Sequence, residues 1–192
     1  MDLLPGFNLN QLTRWQKKGY IVKIRNGLYC FSDLITIPYS SFLIANTIVP
    51  NSYISLESAL SYYGIIPEGV TQTTSVSTYN SISYDTSCGI YSYRKIRNDI
   101  FFGYKFLSLE INFAGIQTIT RKVLIAGKEK AILDFFYLNP QYNNDQEIYN
   151  LRINNHFVDE NFSIRRMENY LKKINNKSLT KRVEILLKQT GK

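Results

Sequence analysis

Residues 71–126 read TQTTSVSTYNSISYDTSCGIYSYRKIRNDIFFGYKFLSLEINFAGIQTITRKVLIA. Threonine, serine, isoleucine, valine, tyrosine and phenylalanine dominate, and most of these are side chains that fit a pleated, half-buried surface. Turn chemistry interrupts the stretch at Tyr79-Asn80-Ser81, Cys88-Gly89, Arg97-Asn98-Asp99 and Ala114-Gly115. The runs between these breaks predict four to six strands, mostly antiparallel, at about 72–78, 81–85, 90–96, 101–107, 109–113 and 116–125. Tyr91, Tyr93, Phe101, Phe102, Tyr104 and Phe106 then serve sheet core and sheet surface rather than a platform for stacked bases.

Outward from this block the pattern turns helical. Ser40 or Ser41 can cap an apolar helix from Phe42 to Val49, stopped by Pro50. Tyr53-Ile54-Ser55 is a short extended piece. Ser55 can cap a helix from Leu56 to Tyr63, with Gly64 as its closing residue and Pro67 beyond the break. Downstream, Lys128 to Leu138 is an apolar helix ended by Pro140. Its Glu129 and Asp134 are five apart and do not share a face, which is poor spacing for a metal or acid–base pair. Glu147 to Asn155 reads as helical. Asp159-Glu160-Asn161 starts a helix through Ile174, with Ile164, Met167, Tyr170, Leu171 and Ile174 as its inner stripe. Arg165, Arg166, Lys172 and Lys173 form the opposite face. Ser178 can cap a last helix with Leu179, Val183, Leu186 and Leu187 inside and Lys181, Arg182 and Lys188 outside. Strands grouped in the middle with helices on both flanks define an α+β class.

The N-terminal segment has its own character. Asn8 with Gln11 resembles a capping box, and Phe7 with Leu12 a hydrophobic staple, for a helix from about Leu9 to Lys18 closed by Gly19. Leu9, Leu12 and Trp15 fall on one side of it. Asn10, Thr13, Arg14, Lys17 and Lys18 fall on the other. Tyr20 to Ile24 and Leu28 to Phe31 flank Arg25-Asn26-Gly27, the strongest short hairpin signal. Lys23 and Arg25 share one face of the first strand. A basic helix followed at once by a tight basic hairpin matches the recognition helix and wing of a winged helix. Asn10, Thr13 and Arg14 are then placed for base edges. Lys17, Lys18, Lys23 and Arg25 neutralise phosphates, with Asn26 at the tip of the wing. The same helix also reads as an ordinary solvated one. A winged helix carries two helices before its recognition helix, and eight residues precede Leu9. The expected organisation is therefore a truncated winged helix over 1–32, then an α+β domain with an antiparallel sheet over 33–192 that ends in basic helices at about 160–190.

Composition sets the bounds on function. The chain has 192 residues, 44% hydrophobic and 20% charged, which is a globular composition. With 23 basic and 15 acidic residues the net charge is +8, which points toward a polyanion partner. Residues 1–32 carry +4, residues 33–127 are neutral, and residues 163–192 carry +7. The C-terminal excess fits a second nucleic-acid contact, an RNA or toxin surface, or plain solvated helix faces. No apolar run approaches the roughly 18 residues of a membrane span, so no membrane partner is expected. The N-terminus carries no secretory signal pattern. Two cysteines and one histidine are too few for a zinc site or a disulfide framework. A reduced, cytoplasmic protein is the simplest reading.

No catalytic motif stands out: there is no phosphate-binding glycine loop, dinucleotide fingerprint, zinc-protease pair or nucleophile elbow. His156 reads as a surface or helix-end residue, Cys30 as a small apolar residue of the hairpin, and Cys88 as a turn residue. Asp85, Glu110 and Lys122 lie on expected strands and could be forced into a metal-dependent nuclease set, but their spacing gives no motif. The expectation is a protein without catalytic residues, metal or cofactor.

Two stretches resemble a known family. Ser52-Tyr53-Ile54-Ser55-Leu56-Glu57-Ser58-Ala59-Leu60-Ser61-Tyr62-Tyr63-Gly64-Ile65-Ile66-Pro67-Glu68 resembles the core segment of AbiEi-type antitoxins. Ala126 to Leu138 resembles their A-x-x-E-K-A-x-x-D-x-x-Y helix through Glu129, Lys130, Ala131, Asp134 and Tyr137. Lys18 to Tyr29 is similar to the wing of their winged helix. The resemblance covers most of residues 9–140. It implies a bacterial transcriptional regulator of a type IV toxin–antitoxin pair, acting in phage defence by abortive infection or in plasmid maintenance. Its N-terminal winged helix would bind operator DNA and repress its own operon. Its larger domain would counter a nucleotidyltransferase-like (AbiEii-type) toxin without requiring a stable complex. Binding as a dimer on two DNA half-sites fits repressors of this kind. A toxin-neutralising interaction protein without autonomous DNA binding is the alternative.

Overall fold

The computed structural model describes residues 8, 10–67, 69–113, 117–154, 157–159 and 161–189. The expected roles of Phe7, Leu9 and His156, and the Ala114-Gly115 turn, lie outside the described residues. Among the described residues, seven α-helices and eight strands give a mixed α+β architecture. Helix α1 (Asn10–Lys17) leads into the hairpin β1 (Ile21–Arg25) and β2 (Leu28–Phe31). A 3-10 turn and α2 (Ser40–Ile48) follow, then β3 (Ser52–Ile54) and α3 (Leu56–Tyr62). The strand-rich block supplies β4 (Gln72–Ser77), β5 (Ile82–Thr86), β6 (Gly89–Lys95), β7 (Tyr104–Phe113) and β8 (Gln117–Ala126). Four helices close the chain: α4 (Lys128–Leu138), α5 (Asp145–Asn150), α6 (Ile164–Ile174) and α7 (Lys177–Gln189).

The main sheet has six strands in the order β5-β6-β4-β3-β8-β7. The β5/β6, β3/β4 and β7/β8 pairs are antiparallel, and β4/β6 and β3/β8 are parallel. The expected break at Ser108 is absent, and β7 runs unbroken against β8 from Tyr104 to Phe113. It also starts later than expected. Residues 101–103 leave a 3-10 turn, and Gly103 sits at φ +76, where a Cβ would come 3.1 Å from Lys130 and Tyr170. That close approach requires glycine. Tyr91 and Tyr93 are buried, whereas Tyr104 and Phe106 lie on the surface.

Several helix starts differ from expectation because other residues supply the cap. Ser55 precedes α3, but its hydroxyl donates to Asp134 Oδ2 at 2.8 Å. Thr74 Oγ1 caps in its place, accepting from Ser58 N at 2.9 Å. Ser40 lies inside α2 rather than before it. Helix α5 starts at Asp145 because Asn144 Oδ1 accepts from Glu147 N at 3.0 Å, and it ends at Asn150. Ser163, not Asp159, caps α6, and Asn176, not Ser178, caps α7. Asn8 does cap α1, accepting from Asn10 N at 2.9 Å. Gly19 and Gly64 close α1 and α3 at φ +73 and +64.

The core gathers around β3, β4, β8 and α4, with α2 and α3 packed against the sheet and α7 against α4 and α5. Residues 129–136 of α4 are all buried, and three of them are charged. Lys130, wholly buried, forms an i,i+4 ion pair with Asp134 and donates to Tyr53 Oη at 2.9 Å. Tyr53 in turn donates to Asp134 Oδ2 at 2.9 Å. Burial, with Asp134 alongside, pushes the Tyr53 phenol well above its ordinary pKa, so it stays a donor. Asp134 thus satisfies one ammonium and two hydroxyls. Asp134→Ala leaves a buried ammonium without its counter-charge and should cost about 3–5 kcal/mol in urea unfolding. Replacing both partners, as in K130M/D134L, should recover part of that loss.

Candidate nucleic-acid interface

The N-terminal basic residues are carried by α1 and the hairpin, two elements that pack against each other. Asn10, Thr13, Arg14, Lys17 and Lys18 are exposed on and just after α1. The chain then turns through Gly19, with Tyr20 N donating to Trp15 O and Gly19 N to Gln16 O, both at 3.0 Å. That double bond fixes how the helix leaves the hairpin. Ser32 strengthens the junction: its N–H donates to Tyr20 O at 3.1 Å and its hydroxyl to Gly19 O.

The hairpin departs from a simple two-residue turn. Gly27 is at φ +77, whereas Asn26 is not in the left-handed region, and the register slips between Lys23 and Arg25. A bulge at Ile24 turns that side chain into the core formed with the main sheet. Arg25 and Asn26 are exposed and Lys23 is half-buried. The hairpin is fastened to the sheet: Ser87 Oγ donates to Lys23 O at 2.7 Å, and the Arg25 guanidinium lies 5.6 Å from the Tyr84 ring. Beside the Tyr20 ring, 5.9 Å away, sits the Lys18 ammonium.

The other face of α1 is less buried than its pattern suggests. Leu12 is half-buried and Trp15 is 37% exposed. Trp15, Tyr20 and Phe31 line a shallow apolar hollow of about 460 Å³ where α1 meets the hairpin. The sequence pattern marked Trp15 as inward-facing and did not single out Tyr20 and Phe31 as a patch.

The second basic surface is smaller than expected. Arg165, Lys172, Lys173, Lys181 and Lys188 are exposed. Lys173 lies 3.9 Å from the centre of the Phe102 ring. Arg166 is exposed but spent on Glu129, whose Oε1 lies 3.2 Å from Nη1 and also accepts from Ser163 N at 2.7 Å. Arg182 is a correction: it is 4% exposed, its Nε has no hydrogen-bond partner, and burial lowers its pKa. It sits inward beside Leu179, Val183 and Leu186, because α7 buries a wider stripe than the apolar residues alone define. Ile164 is the converse, an expected inner residue that is 37% exposed. Lys172, Lys177 and Lys181 border a groove of about 640 Å³ between α6 and α7, floored by Met167, Leu171, Val183 and Leu187.

A cluster the sequence did not flag surrounds the start of α4. Lys105, Lys128 and Arg166 with Tyr62 and Tyr63 line a hollow of about 480 Å³. Lys128 is paired with Asp159 at 2.5 Å, which holds the Asp159 carboxyl below its ordinary pKa. Asp85 and Glu110, the acids of the nuclease set, lie on β5 and β7, the two outer strands of the sheet. At about 4.8 Å per strand they are roughly 24 Å apart across the sheet, and so cannot share a metal. Among the described residues no group of three or more His, Cys, Asp or Glu gathers in ligating geometry, and no helix is long and apolar enough to cross a membrane. A search against protein-family models and a search against curated proteins both return no match.

Because buried Arg182 has no ion-pair partner among the described residues, Arg182→Met should leave stability unchanged or raise it by about 1 kcal/mol in urea unfolding. It should leave any nucleic-acid affinity unaltered, in contrast to loss of Arg14.

Proposed function

We propose that this chain is a cytoplasmic DNA-binding antitoxin that represses its own operon and counters a nucleotidyltransferase-like toxin. The observation that carries the reading is the exposure of Asn10, Thr13, Arg14, Lys17 and Lys18 on and just after α1, with Arg25 exposed and Lys23 half-buried on the adjoining hairpin. A helix of this width fits the major groove, and the adjacent hairpin supplies phosphate contacts. The resemblance of residues 52–68 and 126–138 to AbiEi-type antitoxins supports the regulatory half of the proposal. Operator DNA is the primary partner, met by two copies on paired half-sites. The toxin is a functional partner that need not be bound directly.

A second reading draws on the aromatic hollow. Tyr20 and Phe31, each 59% exposed, offer an apolar contact surface where α1 meets the hairpin. Apolar patches of this kind mark protein contacts. The chain would then neutralise its toxin as an interaction protein without binding DNA by itself.

Gel shift with the chain's own upstream region tests the first reading. Arg14→Ala with Lys17→Ala should weaken binding and reduce the salt dependence of log K by about one to two units. Unchanged affinity would remove α1 from the interface. If that double variant loses DNA binding yet still rescues cells expressing the toxin, neutralisation is separate from repression and the second reading describes the activity.

A further inference from the structure

The chain's only two cysteines, 58 residues apart in sequence, meet in space. Cys30 lies on β2 of the hairpin and Cys88 in the turn between β5 and β6. Their sulfur atoms are 3.8 Å apart, and both residues are half-buried, within reach of a small oxidant. The elements that carry them are already held together around this point. Ser87, next to Cys88, bonds the backbone of Lys23, and Val22 on β1 is the ladder partner of Cys30. Tyr91 Oη donates to the Cys88 carbonyl at 3.1 Å, and Cys88 N donates to Thr86 Oγ1 at 3.1 Å, which fixes the turn.

We propose that Cys30 and Cys88 are an oxidative modification site, a thiol pair that closes to an intramolecular disulfide and fastens the hairpin to the main sheet. A disulfide needs sulfur atoms about 2.05 Å apart, so the two must approach by less than the width of one atom. Side-chain rotation on the hairpin and in the turn supplies that movement.

The oxidant is a hydroperoxide. One cysteine sulfur attacks a peroxide oxygen as its thiol proton passes to the departing oxygen, the O–O bond breaks, and that cysteine becomes a sulfenic acid while water or alcohol leaves. The other cysteine sulfur then attacks it, its proton joins the leaving hydroxide, and water departs. Two thiols are oxidised by two electrons and one peroxide is reduced. Burial, reinforced by Cys88, pushes the Cys30 thiol up to about 12.

The site does not depend on the DNA-binding reading, and its test uses no DNA. The full chain is treated with hydrogen peroxide and analysed by intact mass and by non-reducing peptide mapping. The expected result is loss of two hydrogens per chain, with the Cys30 peptide joined to the Cys88 peptide and proteolytic cleavage of the hairpin slowed. Reduction by a dithiol should restore the mass. Neither Cys30→Ser nor Cys88→Ser should lose the two hydrogens or form the cross-linked peptide, and the cysteine that remains should gain oxygen instead. Oxygen addition to the wild-type cysteines without cross-linking, or a disulfide between two chains, would overturn the proposal.

Discussion

The buried Lys130–Asp134 pair holds the rest of the structure in register. Strand β3 has only three residues, and its parallel pairing with β8 is confined to Ile54 and Ile125. A ladder that short specifies little by itself. Asp134 compensates by reaching from α4 to accept from Tyr53, at the centre of that strand, and from Ser55, just beyond its end. Withdrawing two charges from water costs several kcal/mol per ion, offset only when the remaining lone pairs are filled. Here Tyr53 both accepts from Lys130 and donates to Asp134, so the three groups complete one another. The aromatic rings of Tyr53 and Phe102 enclose the Lys130 ammonium at 5.6 and 5.3 Å. The network also bears on backbone strain. Leu56 stands at φ +57 where the chain turns from β3 into α3, a conformation worth about 1–3 kcal/mol against an ordinary residue. Ser55 bonded to Asp134 on one side and Thr74 capping Ser58 on the other leave the chain no relaxed alternative.

Glu129 and Lys130, adjacent in sequence, are both buried but work in opposite directions. Lys130 ties α4 inward to the sheet. Glu129 ties it to α6, accepting from Ser163 N and from Arg166. The α4 residues that carry the family resemblance are thus the ones that lock this helix in place. That explains a pattern with E-K and D at fixed spacing inside an apolar helix: each buried charge has a fixed partner, and a shift of one residue would orphan them all. Packing is sufficient to account for it, with no appeal to catalysis.

How much of this was legible in the sequence depended on whether the governing interaction was local. The strands of residues 71–126 follow from alternation and turn residues, and nine of the ten boundaries of β4 to β8 sit within one residue of expectation, the start of β7 being the exception. The α1 helix with its Gly19 exit and the Asn26-Gly27 hairpin are equally local. Ser55 failed as a cap because a distant carboxylate claimed its hydroxyl, and the reach of Asp134 to Tyr53 and Ser55 was hidden because those two residues are about eighty positions away. Arg182 was placed outside because arginine on an amphipathic helix ordinarily faces water, yet α7 is covered by both α4 and α5. The meeting of Cys30 with Cys88 was illegible for the same reason, since packing of the separate two-stranded hairpin against the β5–β6 turn, not sequence spacing, brings them together.

The basic N-terminal segment itself has two mechanical parts. The hairpin is firmly seated: Ile24 is in the core, Lys23 is bonded through its backbone, and Arg25 rests on Tyr84. Helix α1 buries none of its residues and is held through its closing turn at Gly19. A polyanion laid along this segment therefore meets one preorganised element and one compliant element. The preorganised hairpin loses little conformational entropy on contact, so its charges set orientation. In the proposed reading the contact would order the helix, and that cost would fall on Asn10, Thr13 and Arg14, the residues proposed to meet base edges. A sequence that rewards those three contacts offsets the ordering cost, and one that does not leaves the helix loose. Discrimination between sequences would then reside in α1, while general affinity would reside in the hairpin and in Lys17 and Lys18.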